Sequence, residues 1–217
     1  TITANASGGI GVLTFSWTGP NGYNSTSSQI SNLYSGSYSV TVTDSIGCSL
    51  FENIILDQPQ ELNATTTQIN VSCYGGTDGS AQLFIFGGTT DYLLSWDTLT
   101  YPLIGGFNTF NTPIGVPAGV YPYAVIDNNG CTFSDTITIT EPSNISSSYT
   151  VTNYNGYNVS CYGSADANVN ILWTGGTPPY QNWFNGTFTN DSVQNNLSSG
   201  TYIDSLIDDN GCIFSNT

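Results

Sequence analysis

The strongest constraint in this sequence is that it resembles itself. Residues 33 to 48 (LYSGSYSVTVTDSIGC), 116 to 131 (VPAGVYPYAVIDNNGC) and 197 to 212 (LSSGTYIDSLIDDNGC) follow one pattern. Gly36, Gly119 and Gly200 fall in register, as do Tyr38, Tyr121 and Tyr202, then Asp44, Asp127 and Asp208, and finally Cys48, Cys131 and Cys212. The copies are spaced by 83 and then 81 residues, the length of one small domain each. The openings recur as well: VSCYGGTDGSAQLFIFGGTTDYLLSW (71 to 96) matches VSCYGSADANVNILWTGGTPPYQNW (159 to 183), and residues 1 to 17 match its later part. The register predicts three units, 1–59, 60–142 and 143–217, with residue 1 corresponding to Ser80. It further predicts that the first copy lacks an opening strand and a first cysteine, that the third stops before a strand equivalent to 137–140, and that the chain is a window on a longer array.

Within each copy the side chains alternate with period two, as in Tyr38, Val40 and Val42 against Ser39, Thr41 and Thr43. Thr, Val, Ile and aromatic residues fill the runs, Gly, Asn and Pro punctuate them, and no apolar face at helical spacing exceeds a turn. The expected fold is all-β, a tandem array of antiparallel β-sandwiches of about seven short strands each. Asp57-Gln58-Pro59 and Glu141-Pro142 close the first two units, where proline stiffens a short joint. The Gly-x-Tyr step before the alternating run fits either a tyrosine corner, whose hydroxyl caps backbone, or plain core packing.

Composition narrows the function classes. Only 7% of the residues are charged, all of them acidic, and the net charge is −15 with no Lys, Arg or His. Such a chain repels nucleic acid and anionic lipid, because it has no cation with which to neutralise phosphate. No apolar run approaches the roughly 18 to 20 residues of a membrane span. Fourteen Tyr, 10 Phe and 4 Trp nevertheless supply a core that a disordered chain lacks. Without His, Lys or Arg there is no Ser-His-Asp triad, Schiff-base nucleophile or oxyanion-binding cation, and no enzyme is expected. Asp208 and Asp209 are a carboxylate pair, but neighbours in a turn point apart and do not form a glycosidase site.

Each complete unit has two cysteines, which predicts disulfides from Cys73 to Cys131 and from Cys161 to Cys212, leaving Cys48 for a partner before position 1; free thiols are the alternative. A bridge closing a loop of nearly 60 residues contributes about 4 kcal/mol in the chain-entropy picture and places the chain in an oxidising compartment. Zinc would require a closer CxxC pattern or His. Calcium is the one metal the composition favours, with Asp127, Asn128 and Asn129, or Asp208, Asp209 and Asn210, as ligands; the competing reading of Asp-x-x-Gly is an Asx-stabilised turn into the cysteine.

The combined pattern of VSCYGGTDG, GGTPPY and SGxYxVxVTDxxGC resembles the SprB-type repeat of giant gliding and surface adhesins of Bacteroidota, and the YSVTVTDSIG stretch is also similar to polycystic-kidney-disease-type domains. The resemblance implies Ig-like or PKD-like sandwiches, export by the type IX route, a cell-surface location, and a role in adhesion or gliding motility. It also gives meaning to Asp-Ser/Thr-apolar triplets, the O-glycan acceptor of that phylum, at Ser45, Thr98, Thr136, Ser192 and Ser205. Asp followed by Ser or Thr at strand starts is the structural alternative. The leading expectation is a stalk or filament whose partners are neighbouring repeats or filament subunits. The rivals are a self-assembling fibre joined by exchanged strands, and an array that binds surface polysaccharide through stacked aromatic rings. Trp183 aligns with Trp96 and Trp17, which points to core, so Trp173 is the candidate for ligand stacking.

Overall fold

The computed structural model describes residues 1–112 and 115–217. The chain divides into two compact units, Thr1–Gln60 and Glu61–Thr217, the second holding copies two and three. Strands β1 (Ile2–Thr3), β2 (Thr14–Gly19), β3 (Tyr23–Ser25), β4 (Gln29–Ile30), β5 (Gly36–Thr43) and β6 (Ser49–Leu56) make up copy one. They form a four-stranded sheet, β3-β2-β5-β6, and a two-stranded one, β1-β4. Trp17, Ile30, Tyr38 and Val40 are buried in its core.

Copy two is a sandwich of a three-stranded and a four-stranded sheet, all pairings antiparallel. Strands β7 (Asn63–Ile69), β8 (Ser80–Phe86) and β11 (Thr109–Asn111) form one sheet in the order β11-β8-β7. Strands β9 (Tyr92–Trp96), β10 (Leu99–Leu103), β12 (Gly119–Asp127) and β13 (Thr132–Ile139) form the other, ordered β10-β9-β12-β13. Alternation decides which residues meet: Leu83 and Ile85 from β8, Leu94 and Trp96 from β9, Tyr123 and Val125 from β12, and Ile137 from β13 close one apolar core. Each such side chain, taken fully out of water, contributes about 1.5–3 kcal/mol. The stretch that lengthens copy two around 99–112 is used as strand, with β10 extending the β9 hairpin and β11 covering β8.

Copy three repeats the plan with β14 (Ser146–Val151), β15 (Ala165–Thr174) and β18 (Val193–Ser198) in one sheet. Strands β16 (Gln181–Phe184), β17 (Thr187–Phe188), β19 (Asp204–Ile207) and β20 (Ile213–Asn216) form the other. The all-β, antiparallel, Ig-like sandwich is therefore the fold, and among the described residues there is no α-helix. Among the described residues no helix is long and apolar enough to cross a membrane.

The register in copy three corrects the alignment of Trp183. Phe184, not Trp183, occupies the place of Trp96: Phe184 stacks on Tyr202 at 5.3 Å, as Trp96 stacks on Tyr121 at 5.6 Å. One residue of offset reverses the face, so Trp183 is half-buried against Phe188 while Asn182 and Phe184 point inward.

Candidate functional site

The turn that closes each copy is built around one buried carboxylate. In copy two, Asp127 Oδ1 accepts the N–H groups of Asn129 and Cys131 at 3.0 and 2.7 Å. Asp208 does the same for Asn210 and Cys212, and Asp44 for Ile46 and Cys48. The other oxygen of each Asp reaches across to the Gly-Gly loop, accepting the N–H of Thr89, Thr177 or Ile10 at 2.8, 2.8 and 3.0 Å. This approach explains the paired glycines. Gly88 and Gly176 have φ of +59° and +62°, and a Cβ on either would sit 2.8 Å from the Asp oxygen.

Burial would raise the Asp127 carboxyl, but the N–H groups of Thr89 and Cys131 outweigh it and hold the group below its ordinary value of 3.8. Asp44 is likewise lowered, first by the N–H of Ile10. With both oxygens facing N–H donors, neither Asp127 nor Asp208 fits a calcium site, since a cation would meet the positive end of each donor. Among the described residues no three His, Cys, Asp or Glu side chains converge in a metal-binding cluster. The Asx-stabilised turn is the reading the geometry favours.

The tyrosine hydroxyls resolve the second open choice. Tyr38, Tyr121 and Tyr202 each donate to the carbonyl four residues upstream, on Tyr34, Pro117 and Ser198, at 2.9, 2.8 and 3.1 Å. All three copies carry a tyrosine corner.

The cysteines differ from expectation. Cys73 is joined to Cys212, with Cα atoms 5.6 Å apart, and not to Cys131; Cys212 is therefore not joined to Cys161. Cys48, Cys131 and Cys161 are exposed free thiols. The reason is strand direction. Cys131 lies at the start of β13, beside the Gly-Gly loop, whereas Cys73 lies at the far end of that strand, where the Val71 N–H donates to the Thr140 carbonyl at 2.9 Å. Eight residues of β13 intervene, about 26 Å at 3.3 Å per residue, against a limit of about 7 Å between bridged Cα atoms. In copy three, β15 separates Cys161 from Cys212 in the same way.

What the bridge joins is the opening loop of copy two to the closing turn of copy three. Around it, Asn210 Nδ2 donates to the Ser72 carbonyl at 2.9 Å and to Thr177 Oγ1 at 3.0 Å. Ser72 is fixed in turn by Asp78, whose Oδ1 accepts its N–H at 3.0 Å and whose Oδ2 accepts its hydroxyl. The Ser72 hydroxyl first, and then its N–H, hold the Asp78 carboxyl below its ordinary value. The result is a covalent junction between two sandwiches.

Residues 65–100 match the SprB repeat family. That stretch of the chain is similar to the SprB repeat. The matched stretch spans β8 and β9 with the Cys73 loop and the Gly-Gly loop, so it includes one half of the junction, and copy three repeats its Val-Ser-Cys-Tyr-Gly opening from Val159. No curated protein matches the chain. Among solved structures, a similar one is "Sidekick-1 immunoglobulin domains 1-4, crystal form 1", at 13% identity and a TM-score of 0.31. The alignment covers 92% of this chain and 62% of that one, so the chain spans a little under two thirds of its length.

The remaining predicted residues do not form one site. Ser45, Thr98, Thr136 and Ser192 are exposed and Ser205 is half-buried, spread over all three copies. Ser45 Oγ accepts the Val12 N–H at 2.9 Å, and Ser205 Oγ lies 3.3 Å from Ser215 Oγ. Trp173 shares the inward face of β15 with Ile171, and its Nε1–H donates to Asp204 at 3.0 Å. That indole is half-buried, with its N–H committed to a buried carboxylate. Sequence reading named Asn210 only as a calcium ligand and gave Ser72 and Asp78 no role; the signal for the latter two was the Ser-Cys-Tyr-Gly-(x)2-Asp spacing that recurs at Ser160 and Asp166.

Proposed function

We propose that the chain is a non-catalytic stretch of an extracellular cell-surface adhesin, in which repeats joined head to tail form the stalk or filament. The observation that carries this reading is the Cys73–Cys212 bridge, which ties one repeat to the next. Acidic repeats without a single Lys, Arg or His repel one another and have no salt bridge to hold a joint. A covalent bond with amide hydrogen bonds around it solves that problem, and its formation calls for an oxidising, extracytoplasmic compartment. The likeness of residues 65–100 to the SprB repeat supports the same location. The exposed Ser45, Thr98, Thr136 and Ser192 are assigned as carriers of O-linked glycan, and export by the type IX route with a part in adhesion or gliding belongs to this proposal.

Intact cells of the source organism, treated with chymotrypsin under reducing conditions, are expected to lose the antigen of residues 61–217 from their surface while a cytoplasmic marker stays whole. Antigen reached only after lysis would contradict the proposal.

A further inference from the structure

Cys161 stands in copy three where Cys73 stands in copy two, and the two loops are held alike. The Ser160 N–H donates to Asp166 Oδ1 at 3.1 Å, as the Ser72 N–H donates to Asp78 Oδ1 at 3.0 Å. The Cys161 carbonyl accepts the Ser164 N–H, as the Cys73 carbonyl accepts that of Gly76. The Ser160 hydroxyl and N–H hold Asp166 below its ordinary value, the same direction as at Asp78. At the Cys73 loop the occupant is visible: the closing turn of the repeat that follows, with its cysteine bonded and its Asn210 amide on the Ser72 carbonyl. At the Cys161 loop the thiol is exposed, and beside it opens a concavity of about 690 Å3 lined by Tyr157, Cys161, Tyr162, Ser198 and Ser199. Tyr157 and Tyr162 present their rings to solvent there.

We propose that this pole of copy three is a docking surface for the Asp-x-x-Gly-Cys turn of a further repeat of the same kind, closed by a disulfide from Cys161 to that turn's cysteine. The Cys73–Cys212 bond is then one rung of a series in which the opening-loop cysteine of each repeat takes the closing-turn cysteine of the next. The occupant is identified by its seated counterpart in the structure and by charge. Any acidic repeat arriving here lacks a cationic partner, so backbone-directed amides and a covalent bond hold it. The turn side of the rule is also exposed and preformed, at Cys48 and Cys131. Asn129 matches Asn210 as an amide donor, whereas copy one has Ile46 at that position, so turns of the Cys131 kind dock more tightly. In forming the rung, two thiols give up two protons and two electrons to a small-molecule disulfide, which leaves as two thiols, while one S–S bond forms and one breaks.

This inference rests on the reading of the chain as part of a repeat array, and its test reads chemistry rather than location. Surface protein from the native source is alkylated without reduction, digested with chymotrypsin and Glu-C, and mapped by tandem mass spectrometry. Cys161 is expected in a bridged peptide with an Asp-x-x-Gly-Cys turn, and Cys161→Ser is expected to add one free thiol per chain, at that turn cysteine. A non-reducing gel separates the two sources of the turn: a single-chain band places it in the same polypeptide, a ladder places it in a second copy. Cys161 found as a free thiol, bonded to Cys131 of its own chain, or bonded to another opening-loop cysteine would overturn the proposal. Protein that is surface-exposed with Cys161 free would remove this inference while leaving the adhesin reading standing.

Discussion

Where copy two sets Leu94 on β9 and Tyr123 on β12, copy three sets Asn182 on β16 and Asp204 on β19, at the same places in the same strand plan. All four side chains are buried. Copy two thus closes an apolar core, while copy three encloses a carboxylate 2% exposed whose Oδ2 takes the Trp173 indole and the Tyr149 hydroxyl and whose Oδ1 has no partner. Such a group costs stability that packed carbon would supply. The comparison teaches that alternation and turn chemistry specify the sandwich, and that the filling of the core varies between copies that keep the Asp turn, the tyrosine corner and the cysteines unchanged. The bridge fastens the less apolar copy to the more apolar one.

Reducing that bridge is the harshest way to break the comparison. It closes 139 residues of sequence, for which loop entropy gives up to about 5 kcal/mol. Copy three is expected to lose most of it, so a thermal melt under reductant separates into two transitions, with copy three first. Pulled by its ends in a force spectrometer, the oxidised chain keeps those residues out of reach; reduction releases about 50 nm of extra contour at 3.6 Å per residue.

Exchanging core residues comes next. Leu94→Asn places copy three's residue in copy two and is expected to cost about 3–5 kcal/mol, through a cavity and an unpaired amide, measured by urea denaturation. In copy three, Asp204→Asn keeps the acceptor for Trp173 and removes the buried carboxyl, and it should raise the melting temperature of that copy. A melting temperature that falls would show that the carboxylate is not the weak point of that core.

Acid sharpens the comparison of turns. Asp44, Asp78, Asp127 and Asp166 are all lowered from 3.8 in the folded chain. Their contribution is whole above that value and is lost as pH falls through the lower folded-state values. Melting temperature should stay level from pH 7 to about 4.5 and drop below pH 3.8, with Asp127→Asn lowering the plateau and flattening the drop.

The smallest effect is expected from the tyrosine corners. Tyr121→Phe and Tyr202→Phe each remove one hydroxyl-to-backbone bond, worth about 1 kcal/mol, and similar losses in both copies would show that the corner is independent of core filling.

Much of this was legible in the sequence because the determining forces are local. Tyr38-Ser39-Val40 declares a strand by alternation, Asp-x-x-Gly-Cys declares a turn by its own hydrogen bonds, and repetition multiplies both signals. What escaped was the pairing of the cysteines. Spacing along the chain suggested partners within a copy, but a strand carries its two ends to opposite poles, and the Gly-Gly loop that meets Asp127 follows Cys73 by one full strand, β8. That strand length was in the sequence and would have placed Cys73 and Cys131 apart. The contact between copies was not there to read, because it depends on Asn210 and Ser72, 138 residues distant. Trp183 misled for a related reason: a residue type aligned by eye outweighed an eight-residue spacing from the glycine pair that leads instead to Phe184.

The central claim is that the covalent bond runs between repeats and not within them. Digesting the oxidised 217-residue chain with chymotrypsin and Glu-C after alkylation, and sequencing the bridged peptides by mass spectrometry, tests it most directly. The expected product joins the peptide around Ser72-Cys73-Tyr74 to the one around Gly211-Cys212-Ile213. A product joining Cys73 to Cys131, or Cys161 to Cys212, would contradict the account.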